Sequence, residues 1–243
     1  MKILITGGMG FIGSHLREFF RKFHPDYQLI LLDLQNGEDL LKIENFPKVD
    51  YVIHLAAQTD VQKSINDPYK DAEINIHGSL KLIINYKETK IIYVGSAASF
   101  SDNISSPYGL SKKIGGEYIK LLSKNWVICN LPNVFGEGGK GVVEKFIQAK
   151  EIRINGDGKQ TRDFVYVGDI CRGLIQAFGW ASGEYFLGSN KAMEINQIAK
   201  VLNKPIIYLP ELKGEIKYSQ VINNTPDWQP EIRILEYLTK TVQ

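Results

Sequence analysis

The first half of the chain alternates short apolar runs, rich in β-branched residues, with longer segments whose apolar positions recur at helical spacing. This alternation is typical of a parallel sheet covered by crossover helices. It predicts strands at residues 2–5, 28–32, 51–55, 91–94 and 126–131. It predicts helices at residues 10–23, 68–86 and 107–123, the last with Ser106 as N-cap and Pro107 in the first turn. We therefore expect an α/β fold with a doubly wound parallel sheet.

The second half has a different pattern, in which glycine-rich loops alternate with shorter helices, predicted at residues 142–150, 168–181 and 194–202. We place a first domain at residues 1–135 and a small, shortened C-terminal substrate lobe at residues 136–243. Residues 163–182 are expected to pack back on the sheet of the first domain. The tail after Leu209 contains three prolines and shows no readable period.

Composition excludes several classes of protein. The chain has 243 residues, 44% of them hydrophobic, and a net charge of +2 without a basic stripe, so nucleic acid is not an expected partner. Cys129 and Cys171 cannot form a disulfide framework, and no Cys or His spacing suits a metal. No signal peptide or membrane-length apolar run is present, so we expect a cytoplasmic protein without a membrane partner.

A glycine loop, TGGMGFIG at residues 6–13, directly follows the first predicted strand. Its glycines permit a tight turn, a close approach of the backbone to a pyrophosphate, and close packing of helix on strand. The helix N-terminus adds unpaired N–H groups and a partial positive charge. We therefore expect the phosphates of a dinucleotide to bind at Gly7, Gly10, Phe11, Ile12 and Gly13.

Asp33 follows the second predicted strand, where a carboxylate can accept hydrogen bonds from both hydroxyls of an adenosine ribose. The same carboxylate would repel a 2′-phosphate. Neither Leu34 nor Gln35 offers a guanidinium to receive one. These residues predict NAD rather than NADP as the cofactor.

A second glycine loop, GEGGKG at residues 136–141, fits the same glycine pattern. We reject it as a dinucleotide site because Pro132 and Asn133 separate it from the preceding strand. In addition, Glu137 would place a carboxylate beside the phosphates. It is not a nucleotide-triphosphate loop either, because Lys140 is followed by glycine.

Tyr108 and Lys112 lie four residues apart on one predicted helical face, just after Ser96 at the carboxyl end of the fourth strand. That edge of a doubly wound sheet is where ligands bind. An ammonium about 4 Å from the phenol is worth about 4 kcal/mol at an effective dielectric of about 20, and an oxidised nicotinamide ring adds further positive charge. Together they can bring a tyrosine pKa from about 10 to about 7. Tyr108 could then take a proton from a sugar hydroxyl while Ser96 hydrogen-bonds the same oxygen. Lys112 would also hold the nicotinamide ribose.

Two other residues have simpler interpretations. Tyr86 and Lys90 also have the Tyr-x-x-x-Lys spacing, but Lys90 begins a strand, so we interpret Tyr86 as structural. His54 follows three apolar strand residues, and we interpret it as a hydrogen-bonded residue at the strand end rather than a catalytic one.

These motifs resemble those of the extended short-chain dehydrogenase/reductases, in particular the NAD-dependent nucleotide-sugar epimerase/dehydratase family. The resemblance also includes HLAA at residues 54–57, Asn75, NVFG at residues 133–136 and GDGKQTRDFVYV at residues 156–167, and it extends to about residue 203. It implies a Rossmann sheet, NAD, a nucleotide-sugar substrate, and a homodimer formed through the helices at residues 68–86 and 107–123.

The resemblance also assigns residues to the site. It implies that Leu55, Ala56, Ala57, Asn75, Tyr108 and Lys112 contact NAD. It implies that substrate binds at Ser96, Asn133 and Arg162, with the Arg162 guanidinium on the diphosphate.

The chemistry within the family stays open at this point. Dehydratases of the family carry an Asp-Glu pair directly after the serine or threonine, whereas this chain has Ala97 and Ala98. That leaves 4-epimerisation through a transient 4-keto sugar, with Tyr108 as the base, or an NAD(P)H-dependent reduction of a 4-keto sugar. A dinucleotide sensor without turnover is a third hypothesis.

Four departures from the family concern the substrate pocket. Ser96 and Tyr108 are only 12 residues apart, about half the usual separation, and the chain is shorter than typical members. Asn130 replaces a common arginine, and Ser101 replaces a common glycine. These departures predict a more open pocket than in typical members.

Overall fold

The computed structural model describes residues 1–100, 104–212, 214 and 216–242. Ser101, one of the departures from the family pattern, lies outside these residues. The strands are β1 Lys2–Thr6, β2 Gln28–Leu32, β3 Tyr51–His54, β4 Lys90–Ser96, β5 Trp126–Leu131, β6 Asn133–Phe135, β7 Ile152–Asn155, β8 Thr161–Tyr166, β9 Gly183–Phe186, β10 Ala192–Glu194 and β11 Ile206–Leu209. The helices are α1 Phe11–Phe23, α2 Val61–Asn66, α3 Pro68–Ala72, α4 Gly78–Asn85, α5 Pro107–Leu122, α6 Val142–Gln148, α7 Val167–Gln176, α8 Ile195–Val201 and α9 Ile234–Val242.

A six-stranded parallel sheet with the order β2-β1-β3-β4-β5-β9 forms the centre of the fold. The prediction of a doubly wound α/β fold is confirmed, and all five predicted strands belong to this sheet. Two smaller sheets, β10-β8-β6 and β11-β7, lie in the second half of the chain.

The strand order reverses at β1, which pairs with β2 on one side and with β3 on the other. Connections from these strands diverge to opposite faces of the sheet, and a crevice opens where they separate. The first glycine loop and the loop after β3 both border this crevice. The fold thus brings two parts of the predicted cofactor site together.

Side chains of β1 alternate between two apolar cores, as the pleat of a strand requires. Ile3 and Ile5 pack with Leu16 and Phe20 of α1, whereas Leu4 packs on the opposite face with residues of α4 and α5. A third cluster, around Phe135, Phe146, Ile198 and Leu238, belongs to the second half of the chain.

The second half does not separate cleanly from the sheet. Residues of α7, including Ile170 and Leu174, belong to the same core as α1. Strand β9 then pairs with β5, and Trp228 of the tail joins that core as well. Residues 167–186 and part of the tail therefore contribute to the main sheet and its core.

The predicted helix at residues 68–86 is corrected by the structure, which has α3, a π-helical turn at Glu73–His77, and α4. The wider turn places Asn75 and Ser79 in buried positions where they form hydrogen bonds. The start of α5 agrees with the prediction, since the Ser106 side chain accepts a hydrogen bond from Gly109 N at 3.2 Å and Pro107 is the first residue.

Within the described part of the chain, none of the helices has the length and apolar character needed to span a bilayer.

Candidate active site

The first glycine loop is held against the loop that follows β3. Gly7 has φ +70°, and a Cβ there would lie 2.7 Å from Ala56 N. A Cβ on Gly13 would lie 2.5 Å from Gly7 O. At position 7, glycine is needed for both the left-handed conformation and the close approach. At position 13, glycine is needed for the close approach.

The N-terminus of α1 is open to an anion. Its N-cap is Gly10, no side chain caps it, and its first turn contains no acidic residue. The first-turn N–H groups, which include those of Phe11, Ile12 and Gly13, can therefore donate hydrogen bonds to phosphate oxygens. This donor set fits the pyrophosphate of NAD.

Asp33 links β2 to the glycine loop. Its Oδ2 accepts a hydrogen bond from Met9 N at 2.9 Å, and its Oδ1 accepts one from Gln35 N at 2.9 Å. Each carboxylate oxygen has a second lone-pair site, so the side chain can still accept hydrogen bonds from ribose hydroxyls. The residues at the end of β2 thus fit the adenosine half of NAD.

Asn75 supports the loop after β3 from behind. It is 1% exposed, its Oδ1 accepts a hydrogen bond from Gln58 N at 2.8 Å, and its Nδ2 lies 3.0 Å from Ser111 Oγ. Leu55, Ala56 and Ala57 precede Gln58 and are partly buried beside the glycine loop. The structure therefore gives Asn75 a supporting position; its contact with NAD stays a prediction.

The predicted catalytic side chains converge at the carboxyl end of β4. Ser96 is its last residue, and Tyr108 and Lys112 lie in the first turns of α5. The Tyr108 backbone N–H donates to Ser64 Oγ at 3.2 Å, which ties α5 to α2. A hydrogen bond between Ser96 and Tyr108 lowers the pKa of the phenol, so these two hydroxyls are neighbours.

Lys112 is buried, with 4% of its surface exposed, and its Nζ lies 4.4 Å from the centre of the Tyr93 ring. Burial lowers the pKa of Lys112 to about 7, although the negative charge of Asp71 raises it. A cation held over an aromatic face in a desolvated site is partly stabilised by the ring quadrupole. Lys112 therefore changes its charge near neutral pH.

The pKa of Tyr108 moves in the direction opposite to our expectation. Burial raises it, the hydrogen bond from Ser96 lowers it, and the charge of Asp71 raises it further. Lys112 does not offset these effects, because its ammonium lies over Tyr93 and is itself easily deprotonated. In the protein alone Tyr108 is a neutral phenol, so the positive charge of an oxidised nicotinamide is needed to favour the phenolate.

Asp71 and Gln58 are site residues that the sequence reasoning missed. Asp71 is 1% exposed, and its Oδ1 accepts a hydrogen bond from Gln58 Nε2 at 2.9 Å. A carboxylate on a short helix has no distinctive sequence signal. The usable clue was its spacing four residues before Asn75, which places both side chains on one helical face.

His54 and Tyr86 have the structural roles expected of them. His54 Nδ1 lies 2.6 Å from Thr6 Oγ1 and its Nε2 lies 2.9 Å from Ser79 Oγ. Burial, with the nearby charge of Lys112, lowers the pKa of His54 to about 3. Tyr86 donates its hydroxyl hydrogen bond to Pro47 O at 2.7 Å, away from the site.

Two of the predicted substrate residues, Asn133 and Arg162, lie on the small sheet β10-β8-β6. Asn133 begins β6, is exposed, and pairs in register with Phe164 of β8. Arg162 lies two residues before Phe164 on β8, and its Nη1 donates to Thr161 O at 2.8 Å. The two residues thus occupy adjacent strands.

The family of this chain follows from comparison with known proteins. Residues 3–185 match the model of the NAD dependent epimerase/dehydratase family. The chain is 32% identical to a putative UDP-glucose 4-epimerase of Methanocaldococcus jannaschii, with 99% of this chain and 97% of the relative covered. It is 25% identical to human dTDP-D-glucose 4,6-dehydratase, with 100% and 89% covered.

Among solved structures, the UDP-glucose 4-epimerase of Thermotoga maritima, determined with UDP-glucose, superimposes with a TM-score of 0.86. The two chains are 27% identical, with 100% of this chain and 97% of the other covered. The alignment with the Methanocaldococcus protein spans 297 positions, more than the 243 residues here, so that relative carries insertions that this chain lacks.

The fold and the site together define an NAD-dependent enzyme of the extended short-chain dehydrogenase/reductase type. The chain belongs to the NAD dependent epimerase/dehydratase family.

Proposed function

We propose that this enzyme is a nucleotide-sugar 4-epimerase that acts through a transient 4-keto sugar. The observation that carries the proposal is the placement of Ser96, Tyr108 and Lys112 at the carboxyl edge of the sheet, with Ala97 and Ala98 where a dehydratase would need its acid and base. Relatives named as UDP-sugar 4-epimerases support the same chemistry.

Each residue has a defined task in this proposal. Tyr108 takes the proton of the sugar 4-hydroxyl, and Ser96 hydrogen-bonds that oxygen as the ketone forms. NAD, when bound, accepts the hydride from C4 and returns it. After the ketone turns over in the pocket, Tyr108 gives the proton back to the 4-oxygen as C4 receives the hydride on its other face. Lys112 supplies a cation near the nicotinamide ribose, and Asn133 and Arg162 bind the substrate, Arg162 at its diphosphate.

The experiment is an NMR survey of UDP-sugars and dTDP-sugars incubated with the purified protein. We expect interconversion of one pair of C4 epimers without net consumption of NAD. Tyr108→Phe should lower the rate at least about 100-fold, because proton transfer by a positioned side chain is worth about 10²–10⁴-fold.

The matched control is Tyr86→Phe, which removes the hydroxyl of the other Tyr-x-x-x-Lys pair and should leave the rate unchanged. Stoichiometric oxidation of NADH by a 4-keto sugar would instead identify a reductase. Full turnover in Tyr108→Phe would contradict both enzymatic accounts, and binding of NAD without turnover of any sugar would identify a sensor.

We further propose that the enzyme is a homodimer formed through α3, α4 and α5. Large apolar side chains on these helices are exposed: Tyr69, Ile84, Leu110 and Leu121. Exposed apolar patches of this kind are typical of protein interfaces. Sedimentation should give a dimer for the wild type and a monomer for Leu121→Glu; a wild-type monomer at micromolar concentration would contradict the proposal.

A further inference from the structure

A buried carboxylate next to the catalytic pair has no task in the chemistry above. Asp71 Oδ1 accepts hydrogen bonds from Gln58 Nε2 at 2.9 Å and from Asn75 Nδ2 at 3.1 Å. Its Oδ2, although buried, has no hydrogen-bond partner among the described residues. A carboxylate oxygen left in this state costs free energy, so its presence calls for an explanation.

Asp71 is linked to α5 through the side chain of Asn75. The Nδ2 of Asn75, which contacts Asp71, also donates to Ser111 Oγ of α5 at 3.0 Å. Asn75 lies in the π-helical turn that directly follows α3, and such turns are frequent at functional sites. The carboxylate is therefore fixed by the same elements that position Tyr108 and Lys112.

The charge of Asp71 reaches both members of the pair, since it raises the pKa of Tyr108 and of Lys112. Two other titratable groups face the pair, Tyr93 from β4 and His54 from β3. Both are neutral at pH 7, because burial raises the pKa of Tyr93 and lowers that of His54 to about 3.

The remaining charged groups on the packed helices point elsewhere. Lys63 of α2 is exposed, as are Tyr69 and Lys70 of α3, and Glu73 of the π-helical turn pairs with Lys70. Asp71 is the carboxylate whose charge shifts the pKa of both members of the pair.

We propose that Asp71 is a positioning residue whose carboxylate balances the positive charges of Lys112 and of the oxidised nicotinamide, so that Tyr108 can both release and recover its proton. This inference rests on the proposed role of Tyr108 as the base. An epimerase transfers the same proton in both directions, and an uncompensated nicotinamide cation would favour release over recovery.

The test is a spectrophotometric titration of the Tyr108 phenolate in NAD-loaded protein, measured as the difference from the same protein carrying Tyr108→Phe. In Asp71→Asn the midpoint should fall by on the order of one pH unit, because a neighbouring negative charge opposes ionisation of the phenol. An unchanged midpoint would overturn the proposal. The titration needs no sugar, so its outcome is independent of whether the enzyme epimerises the sugars tested.

Glu73→Gln is the matched control, because it removes a carboxylate from the next turn of the same helical segment, where it forms a surface ion pair. We expect no shift of the midpoint in this variant. If the asparagine variant does not fold, Asp71→Ser serves as a second variant for the same titration, because serine is also uncharged and is smaller. Asp71→Glu keeps the charge and should keep the midpoint near that of the wild type.

The pH profile of kcat supplies a second readout. Both limbs should move to lower pH in Asp71→Asn, because the carboxylate raises the pKa of the base and of the lysine alike. A lower rate at every pH with unmoved limbs would indicate a purely structural role and would overturn the proposal.

Discussion

The two glycine loops of this chain fit one sequence pattern and have opposite electrostatic surroundings. In the first, residues 7–13, backbone approaches backbone closely and the helix that follows has neither a side-chain cap nor an acidic first turn. In the second, residues 136–141, Glu144 of α6 turns back into the loop, and its Oε1 accepts a hydrogen bond from Gly136 N at 2.7 Å.

Glu144 occupies the space that an anion would need. Its Oε2 would lie 3.0 Å from a Cβ built on Gly139, and it is buried without a hydrogen-bond partner among the described residues. We rejected this loop because Pro132 and Asn133 separate it from the strand and because of Glu137. Glu137 itself is exposed, and its carbonyl faces His15 Nε2 at 2.7 Å. Two loops with the same glycine pattern therefore differ in whether a buried carboxylate lies within the loop.

The largest effect is expected from Gly7→Ala. The new Cβ would lie 2.7 Å from Ala56 N in a left-handed residue. The free energy of unfolding should therefore fall by about 2–4 kcal/mol, and NAD affinity should fall at least about tenfold. Gly138→Ala is the matched control: φ there is +80°, but no atom lies within 4 Å of the new Cβ. Gly138→Ala should lower the free energy of unfolding by about 1 kcal/mol and leave NAD affinity unchanged.

Calorimetric titration with NAD and thermal unfolding measure both effects. Equal losses of NAD affinity in the two variants would mean that the loops do not differ as described.

A smaller effect is expected from Asp33→Asn. The amide can replace only one of the two acceptors that now serve Met9 N and Gln35 N, and it presents an N–H group to the other. We expect NAD affinity to fall about tenfold, and the ratio of NAD affinity to NADP affinity to fall as well. Glu137→Gln, in the second loop, should change neither. An unaltered NAD affinity in Asp33→Asn would show that Asp33 takes no part in NAD binding.

The smallest effect is expected from Glu144→Ala. Loss of the acceptor leaves the buried Gly136 N–H without its partner, which should cost about 1–2 kcal/mol in the free energy of unfolding. NAD affinity should stay at the wild-type value, because the first loop is untouched. Chemical denaturation and NAD titration of the same sample test this, and a change in NAD affinity would show that the second loop takes part in cofactor binding.

Five strands of the central sheet were predictable because they are apolar runs, and the start of α5 was predictable because Ser106 caps it. Strand β9, Gly183–Phe186, was missed, because its four residues are partly buried and form a strand by pairing with β5. Pairing between distant segments leaves little trace in local sequence. The other short strands, β6, β7, β8, β10 and β11, were missed for the same reason. The helix α9 in the tail was missed as well.

The candidate site shows the same limit. Residues on regular elements or in a glycine loop, such as Tyr108 and Gly7, could be found from spacing. Asp71 could not, because its importance comes from burial and from the charges around it, which only the folded chain brings together. The rise in the pKa of Tyr108 was missed for that reason too, since desolvation depends on tertiary packing.

The most direct measurement follows deuterium in a UDP-hexose labelled at C4, incubated with the protein and its bound NAD. We expect the label to remain at C4 in both epimers at equilibrium, because the hydride leaves and returns within one site. Loss of the label to solvent, or its appearance in free cofactor in step with product, would contradict it.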